Sequence, residues 1–186
     1  MPKARLLVIG IGQALRGDDA AGLEIVKRWQ AGHPETANDA QVVVELAPLP
    51  GLSLLSFLEC VDAAILVDAM SSGAPAGTLH VLNQADLASF GSDAQSAHGW
   101  GVAETLALGE NLYGDKLPGQ ISLLAIETGT VEMGSQLSPA VQEALPAAVQ
   151  RLQQLVMQAL RSPSDLESAK VNYLAETNQS TSSKTE

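Results

Sequence analysis

Cysteine, aromatic side chains and positive charge are all scarce in this sequence. The single cysteine, Cys60, can form no internal disulfide and has no C-x-x-C partner for zinc, so we expect a small buried residue. Aromatic residues make up 3% of the chain, and 10 Lys and Arg stand against 21 Asp and Glu, for a net charge of -11. Nucleic acids and anionic membranes require clustered basic residues, so neither is expected as a partner.

Long apolar segments and nucleophile motifs are also missing. No apolar run approaches the length of a membrane span, and the N-terminus shows no apolar signal-peptide region, which favours a soluble cytoplasmic protein. The sequence contains no G-x-S-x-G motif, and Cys60 lies inside an apolar helical pattern. Any hydrolysis would therefore depend on a metal ion or on carboxylates.

Short apolar runs alternate with helical patterns along the 186 residues. The runs at 5–10, 42–46, 63–68 and 121–126 are typical of strands covered on both faces. The connection before 78–82 is too short and too rich in Gly and Pro for a helical crossover, so we expect that strand to be antiparallel. The prediction is one α/β domain, with a twisted, mostly parallel sheet of about five strands and helices on both faces.

Four segments carry helical patterns. Gly22, Ile25, Val26 and Trp29 share one helical face, and further helices are predicted at 52–60, 99–112 and 138–160, the last with an interruption or kink at Pro146. From Ser162 the apolar periodicity is lost. We therefore predict a domain over 1–161 and a disordered tail over 162–186.

The stretch "LLVIGIGQALRGDD" (6–19) begins as a buried strand and ends in two acids. It fits neither phosphate-binding pattern, because Leu15 replaces the third glycine of G-x-G-x-x-G, and Asp18 and Asp19 replace the lysine and hydroxyl of a P-loop. Acids at the start of a helix can cap it and offset its dipole, and we favour this role for Asp18 over that of a general base. For the pair of acids, a cation site is a competing interpretation.

Further polar residues follow predicted strands at the edge where α/β sheets bind ligands. Asp68 ends "AILVD" and is either a turn former or a ligand, while His98 in "SAHGWG" either starts a helix or binds a metal. Glu127 either lines the site or caps "TGTVEMG". Two carboxylates and one imidazole are acceptable ligands for a divalent ion. His80 is expected to face solvent and His33 to lie in a loop, so neither is expected as a ligand.

Together, "GIGQALRGDDAAG", "AAILVDAM", "SAHGWG" and "QLSPAVQEALPAAVQRL" resemble the hydrogenase maturation endopeptidases, in order over about residues 5–160. The resemblance implies a protease that removes a C-terminal extension from the large-subunit precursor of a nickel-iron hydrogenase after nickel insertion. It also implies that Asp19, Asp68 and His98 are the site residues and metal ligands. The nickel would be carried by the substrate protein, and another divalent cation is an open alternative.

Two positions depart from that family's pattern. Gln13 stands where an asparagine is usual, so its role is open, and Asp19 stands where a longer glutamate is common. The competing class is a non-catalytic α/β module that binds a nucleotide or a metal-loaded partner protein. Leu15 and the two acids count against the nucleotide version.

Overall fold

The computed structural model describes residues 6–48, 51–59, 61–90 and 102–161. A five-stranded sheet forms the centre of the molecule, in the order β2-β1-β3-β5-β4. Its strands are β1 (Leu6–Ile11), β2 (Val42–Ala47), β3 (Ala63–Met70), β4 (Leu79–Asn83) and β5 (Gln120–Glu127). The first, second, third and fifth strands run parallel, and β4 pairs antiparallel with β5. The α/β fold with one antiparallel strand is thus confirmed.

In the described part of the chain, six α-helices flank the sheet. They are α1 (Ala21–Gly32), α2 (Pro34–Ala37), α3 (Leu54–Leu58), α4 (Gln84–Phe90), α5 (Val102–Tyr113) and α6 (Pro139–Leu160), and 3-10 turns lie at Gly17–Ala20, Gly51–Ser53 and Gly114–Lys116. None of the described helices combines the length and the hydropathy needed to cross a bilayer.

Each face of the sheet has its own apolar core. One core packs α1 and α6 against alternate residues of β1 and β3, and the other packs α3 and α5 against the residues between them. Trp29 is fully buried in the first core, and its indole N–H donates to Oε1 of Gln153 at 2.8 Å, which joins α1 to α6. The helical face predicted around Trp29 is therefore the buried face of α1.

Two local predictions differ from the structure. The interruption predicted at Pro146 is absent, since α6 continues from Pro139 to Leu160, and the alternative of a kink there stays a prediction. The short helix α4 was not predicted, although its start is encoded locally. Oδ1 of Asn83 accepts the backbone N–H groups of Ala85 and Asp86, and Oδ2 of Asp86 accepts the N–H of Asn83. This reciprocal pair satisfies backbone donors at the first turn.

Several sequence-based predictions fall outside the described residues. These are the metal-ligand role of His98, the buried position of Cys60 and the disordered tail over 162–186. The helix predicted over 99–112 is present from Val102 to Tyr113 in the described part.

Candidate active site

The order of the strands predicts a cleft beyond the carboxyl ends of β1 and β3. After β1 the chain crosses to β2 on one side of the sheet. After β3 it continues to β4 and β5, which lie on the other side. In open α/β sheets, ligands bind beyond the carboxyl ends of the strands where the connections diverge in this way. Asp19 lies in the 3-10 turn after β1, and Asp68 lies two residues before the end of β3, so the topology brings the two predicted acids to the same edge of the sheet.

A tight turn after β1 returns the chain to the start of α1. Gly12 has φ +138°, and a Cβ there would lie 1.9 Å from the backbone oxygen of Asp19. No side chain fits in that space, so Gly12 is required for the turn. The N–H of the next residue, Gln13, donates to Oδ2 of Asp19 at 2.8 Å.

Asp19 is therefore a buried carboxylate held by the loop backbone. Its side chain is 1% exposed, and its own N–H donates to the oxygen of Arg16 at 3.1 Å. The contact from Gln13 is made by backbone N–H, which any residue except proline can supply. The substitution of an asparagine by Gln13 does not affect this hydrogen bond.

Asp68 lies half-buried near the carboxyl end of β3. Its Oδ1 accepts the N–H of Ala69 at 2.8 Å. Burial raises the pKa of Asp68 to about 7; the Ala69 hydrogen bond opposes the rise, and the negative charge of Asp19 adds to it. The two carboxylates therefore interact electrostatically. A cation between them would offset both the desolvation cost of the charged Asp68 and the repulsion between the two negative charges.

Asp18 has a different task from its neighbour. Its fully buried carboxylate accepts the backbone N–H groups of Gly129 at 2.7 Å, Thr130 at 2.9 Å and Ser138 at 2.5 Å. Burial alone would raise the pKa of Asp18, but these donors outweigh it and hold the pKa below its usual value. The prediction that Asp18 caps its own helix was wrong, since the carboxylate fastens the first loop to the segment before α6.

Glu127 is also occupied by backbone and hydroxyl donors. Its carboxylate accepts the N–H and the hydroxyl of Ser72 and the N–H of Ala74. It thus fixes the loop that follows β3. These donors belong to residues 72–74 and not to "TGTVEMG", so the predicted local cap is wrong, and the alternative that Glu127 lines the site stays a prediction.

Of the two described histidines, His33 lies in a connection between helices as predicted, whereas His80 differs from its prediction. His33 stays at the end of α1, with Nδ1 3.3 Å from the oxygen of Trp29. His80 does not simply face solvent, because its Nε2 atom is buried. Among the described residues, no three His, Cys, Asp or Glu side chains form a group that could hold a metal ion. The predicted trio cannot be judged there, because His98 lies outside them.

A family model described as hydrogenase maturation protease matches residues 35–155. The hydrogenase expression/formation protein HupD of Rhodobacter capsulatus is 34% identical over 139 residues, which cover 74% of this chain and 64% of that protein. The aligned region thus spans slightly less than two thirds of this relative. HupD of Rhizobium leguminosarum bv. viciae is 27% identical over 151 residues, which cover 80% of this chain and 72% of the relative.

Solved structures share the fold. The hydrogenase maturating endopeptidase HybD from E. coli aligns with a TM-score of 0.72 at 22% identity, over 84% of this chain and 94% of that one. The [NiFe] hydrogenase maturation protease HybD from Thermococcus kodakarensis aligns with a TM-score of 0.63 at 19% identity, over 82% and 99%.

Proposed function

The chain belongs to the hydrogenase maturation protease family, and from this we propose that it cuts the large-subunit precursor of a nickel-iron hydrogenase and removes its C-terminal extension. The observation that carries the proposal is the pair of acids, Asp19 and Asp68, at the cleft between β1 and β3. The nickel centre of the precursor belongs to the substrate. In this proposal Asp19, Asp68 and His98 contact it, with the role of His98 taken from the family resemblance alone.

The chemistry of the two acids suits peptide hydrolysis near neutral pH. While no cation is bound to Asp68, its pKa of about 7 lets the carboxylate accept the proton of an attacking water and return it to the leaving amine. Asp19 remains oriented by the N–H of Gln13. The water oxygen first bonds to the scissile carbonyl carbon, and the C–N bond then breaks as the nitrogen takes up the proton, which leaves a new carboxyl terminus and a free amino terminus.

The donor set also fits a divalent cation. Two neighbouring carboxylates, one with its pKa raised partly by the other's charge, favour a cation over an empty pair. Asp19 and Asp68 would hold such an ion, which when bound would polarise the scissile carbonyl and lower the pKa of water. Nickel carried by the precursor and a separate divalent ion are both compatible with this donor chemistry.

The surface beside the site suits a protein substrate. Leu15 and Met133 are 71% and 72% exposed on adjoining loops, which are joined by the N–H of Gly134 and the oxygen of Leu15 at 2.7 Å. Paired exposed apolar side chains favour contact with another protein. Changing both residues to Gln should raise KM for the precursor without lowering the melting temperature, whereas Met157→Gln on α6 should leave KM unchanged.

The most direct test uses the full chain and purified precursor. The precursor is supplied with and without nickel, and its intact mass is measured after incubation. We expect nickel-loaded precursor to lose its C-terminal extension and nickel-free precursor to remain whole. Absence of cleavage in both samples would overturn the proposed activity. Equal cleavage of both samples would overturn only the dependence on nickel and leave the proposed activity in place.

The sequence left open a binding module for a nucleotide, and the site counts against it. Asp18 and Asp19 are 0% and 1% exposed where a phosphate would approach the start of α1. Their negative charges oppose the favourable interaction of a helix N-terminus with an anion. Titration with NAD or ATP should therefore show no tight binding.

A further inference from the structure

The strand β4 lies at one edge of the sheet and has backbone groups that no described strand pairs. It is the last strand in the order β2-β1-β3-β5-β4. The N–H of Glu127 donates to the oxygen of Thr78 at 2.9 Å, so these two residues form a hydrogen-bonded pair of the antiparallel ladder. Because such pairs alternate along the ladder, Leu79 and Val81 direct their N–H and C=O groups away from β5.

The two edges of the sheet differ in how they oppose pairing with a further strand. Native edge strands avoid such pairing by means of charged residues, prolines and bulges. At the opposite edge, β2 carries Glu45 within the strand. The strand β4 reads Leu-His-Val-Leu-Asn, without a proline or a Lys, Arg, Asp or Glu, and its register against β5 is continuous. Of the two edges, β4 is therefore the one open to another strand.

A groove lies beside this edge, between β4 and α6. It has a volume of about 430 Å³ and is lined by Leu79, Val81, Ala147, Gln150, Arg151 and Gln154. Leu79 packs at the margin of the core beneath α1 and α6, and Val81, two residues on, is 36% exposed on the same face. Since side chains alternate between the faces of a strand, every second side chain of a strand added to β4 would point to this groove.

The charge of the groove favours an acidic partner. Arg151 is the one charged residue among those that line it, and its Nη1 donates to Oε1 of Gln154 at 3.0 Å. A guanidinium group pairs most strongly with a carboxylate. A second copy of the chain fits poorly, because antiparallel pairing of two β4 edges would bring two Arg151 side chains to one face of the joined sheet, where their like charges repel.

The direction of an added strand leads to the candidate active site. The strand β5 is antiparallel to β4 and parallel to β3. A segment antiparallel to β4 therefore runs parallel to β3, and its C-terminal end leaves at the edge of the sheet that holds Asp19 and Asp68. It would lie three strand positions from β3, or about 14 Å at about 4.8 Å per strand, a distance that about four extended residues span.

We propose that a segment of the precursor upstream of the cleaved bond pairs antiparallel with β4, and that an Asp or Glu side chain of this segment binds Arg151. The segment precedes the cleaved bond by at least about four residues. Backbone hydrogen bonds to an edge strand supply affinity, and the places for alternate side chains supply specificity. The inference rests on the proposed function in taking the precursor as the partner.

The charge is tested by steady-state kinetics with nickel-loaded precursor. Arg151→Glu reverses the charge in the groove, and Lys27→Glu makes the same change at an exposed position of α1. Arg151→Glu should raise KM by about 10-fold or more with little change in kcat, whereas Lys27→Glu should leave both constants as they are. An unchanged KM in a folded Arg151→Glu protein would overturn the proposal.

The backbone pairing is tested by two substitutions at one position. Val81→Pro removes an N–H that points to the free edge, a place where an edge strand tolerates proline, and Val81→Thr keeps this N–H. Val81→Pro should raise KM for the precursor by about 10-fold or more, and Val81→Thr by less than about 2-fold. Equal KM values for two folded variants would contradict strand pairing at β4.

Hydrogen exchange covers a proline variant that fails to fold, because it leaves β4 unaltered. It is measured residue by residue in the full-length Asp68→Asn protein, which should cleave slowly, with and without excess precursor. The amides of Leu79 and Val81 should exchange fast alone and slowly with precursor, while those of β2 keep their rates. Slow exchange before precursor is added would show that the chain itself or a second copy covers the edge, and would overturn the proposal.

The two readouts separate this inference from the proposed function. Cleavage by the unaltered protein without protection of β4 refutes this inference alone. Protection of β4 by precursor that the unaltered protein does not cleave refutes the proposed function alone.

Discussion

Adjacent side chains in the first loop point to different partners. The carboxylate of Asp18 accepts backbone N–H groups of residues 129, 130 and 138. The carboxylate of Asp19 accepts the N–H of Gln13, and its negative charge raises the pKa of Asp68. The sequence shows two consecutive acids but not this division. The partners of Asp18 lie 111 to 120 residues away, so no local pattern predicts the contact.

Asp18→Asn should destabilise the protein strongly. An amide keeps one neutral oxygen and places an NH₂ group against N–H donors, so charge-assisted hydrogen bonds are lost at a cost of about 2–4 kcal/mol. Urea denaturation at pH 7 measures the change. Because the folded pKa of Asp18 is lowered, its stabilisation is present above the usual value of 3.8 and disappears as pH falls through the folded pKa.

A matched control for this substitution is Asp39→Asn. Asp39 accepts a single exposed backbone hydrogen bond, from Gln41 at 2.8 Å, through an oxygen that asparagine retains. The free energy of unfolding of the Asp39→Asn protein should differ from that of the unaltered protein by less than about 0.5 kcal/mol. Equal stability of the Asp18 and Asp39 variants would contradict the assignment that Asp18 holds the first loop to the segment before α6.

Asp68→Asn should make the folded protein more stable at alkaline pH. The folded pKa is raised to about 7, so the native state favours the neutral acid, and this contribution is lost as pH rises from 3.8 through 7. Asparagine never ionises. At pH 8 the variant should be more stable than the unaltered protein by about 1–3 kcal/mol, with little difference at pH 3.5. Thermal melts of both proteins at pH 8 and pH 3.5 measure this change. The same difference in stability between the two proteins at both pH values would be inconsistent with the raised pKa of Asp68.

Close packing of α1 on the sheet places the loop that carries Asp19. A Cβ at Gly22 would lie 2.3 Å from the oxygen of Ile11 and 2.4 Å from that of Val67. Ile11 ends β1, and Val67 lies in the carboxyl half of β3, next to Asp68. The absence of a side chain at Gly22 therefore lets the helix begin directly against the site.

Gly22→Ala should lower the free energy of unfolding by about 2–4 kcal/mol, because backbone atoms on two strands would have to move. The control lies in the same helix. A Cβ at Gly32 meets nothing within 4 Å, so Gly32→Ala should be neutral or stabilise by up to about 1 kcal/mol through helix propensity. Denaturant titration compares the two, and a harmless Gly22→Ala would show that α1 can shift.

Elements with strong apolar patterns could be predicted from the sequence. The run "AAILVD" became β3, and the periodicity around Trp29 gave the buried face of α1, because in both cases burial determines the pattern. Helix α4 was missed since its signal is the capping pair of Asn83 and Asp86 and not an apolar repeat. At Pro146 a local signal predicted an interruption that the fold does not have. Packing of Leu145 and Ala148 in the core maintains α6 past this helix breaker.

Long-range pairing determines which site residues could be predicted. Asp19 and Asp68 could be predicted to lie at one edge of the sheet, because Asp19 comes after β1, Asp68 lies near the carboxyl end of β3, and these two strands are parallel. His80 was rejected because alternation alone gave it a solvent-facing position. The burial of its Nε2 atom depends on the pairing of β4 with β5, which no short segment of the sequence contains.

Among the described residues, the members of both apolar cores lie between Leu6 and Leu160. A chain that ends at Arg161 should therefore keep its melting temperature and its cleavage rate. A chain that ends at Gln154 loses Leu155 and Val156, which are 8% and 0% exposed, and should melt at a clearly lower temperature. A large loss of stability on ending at Arg161 would contradict the domain limit of 1–161.

The most direct measurement is the cleavage rate of nickel-loaded precursor by Asp68→Asn beside Asp62→Asn. Both substitutions remove one carboxylate charge, but Asp62 is exposed just before the amino end of β3, whereas Asp68 lies at the carboxyl end beside Asp19. With both variants shown to be folded, Asp68→Asn should reduce the rate at least 100-fold, as expected for loss of a general base. Asp62→Asn should cleave like the unaltered protein. Full activity of Asp68→Asn would contradict an active site at the cleft between β1 and β3.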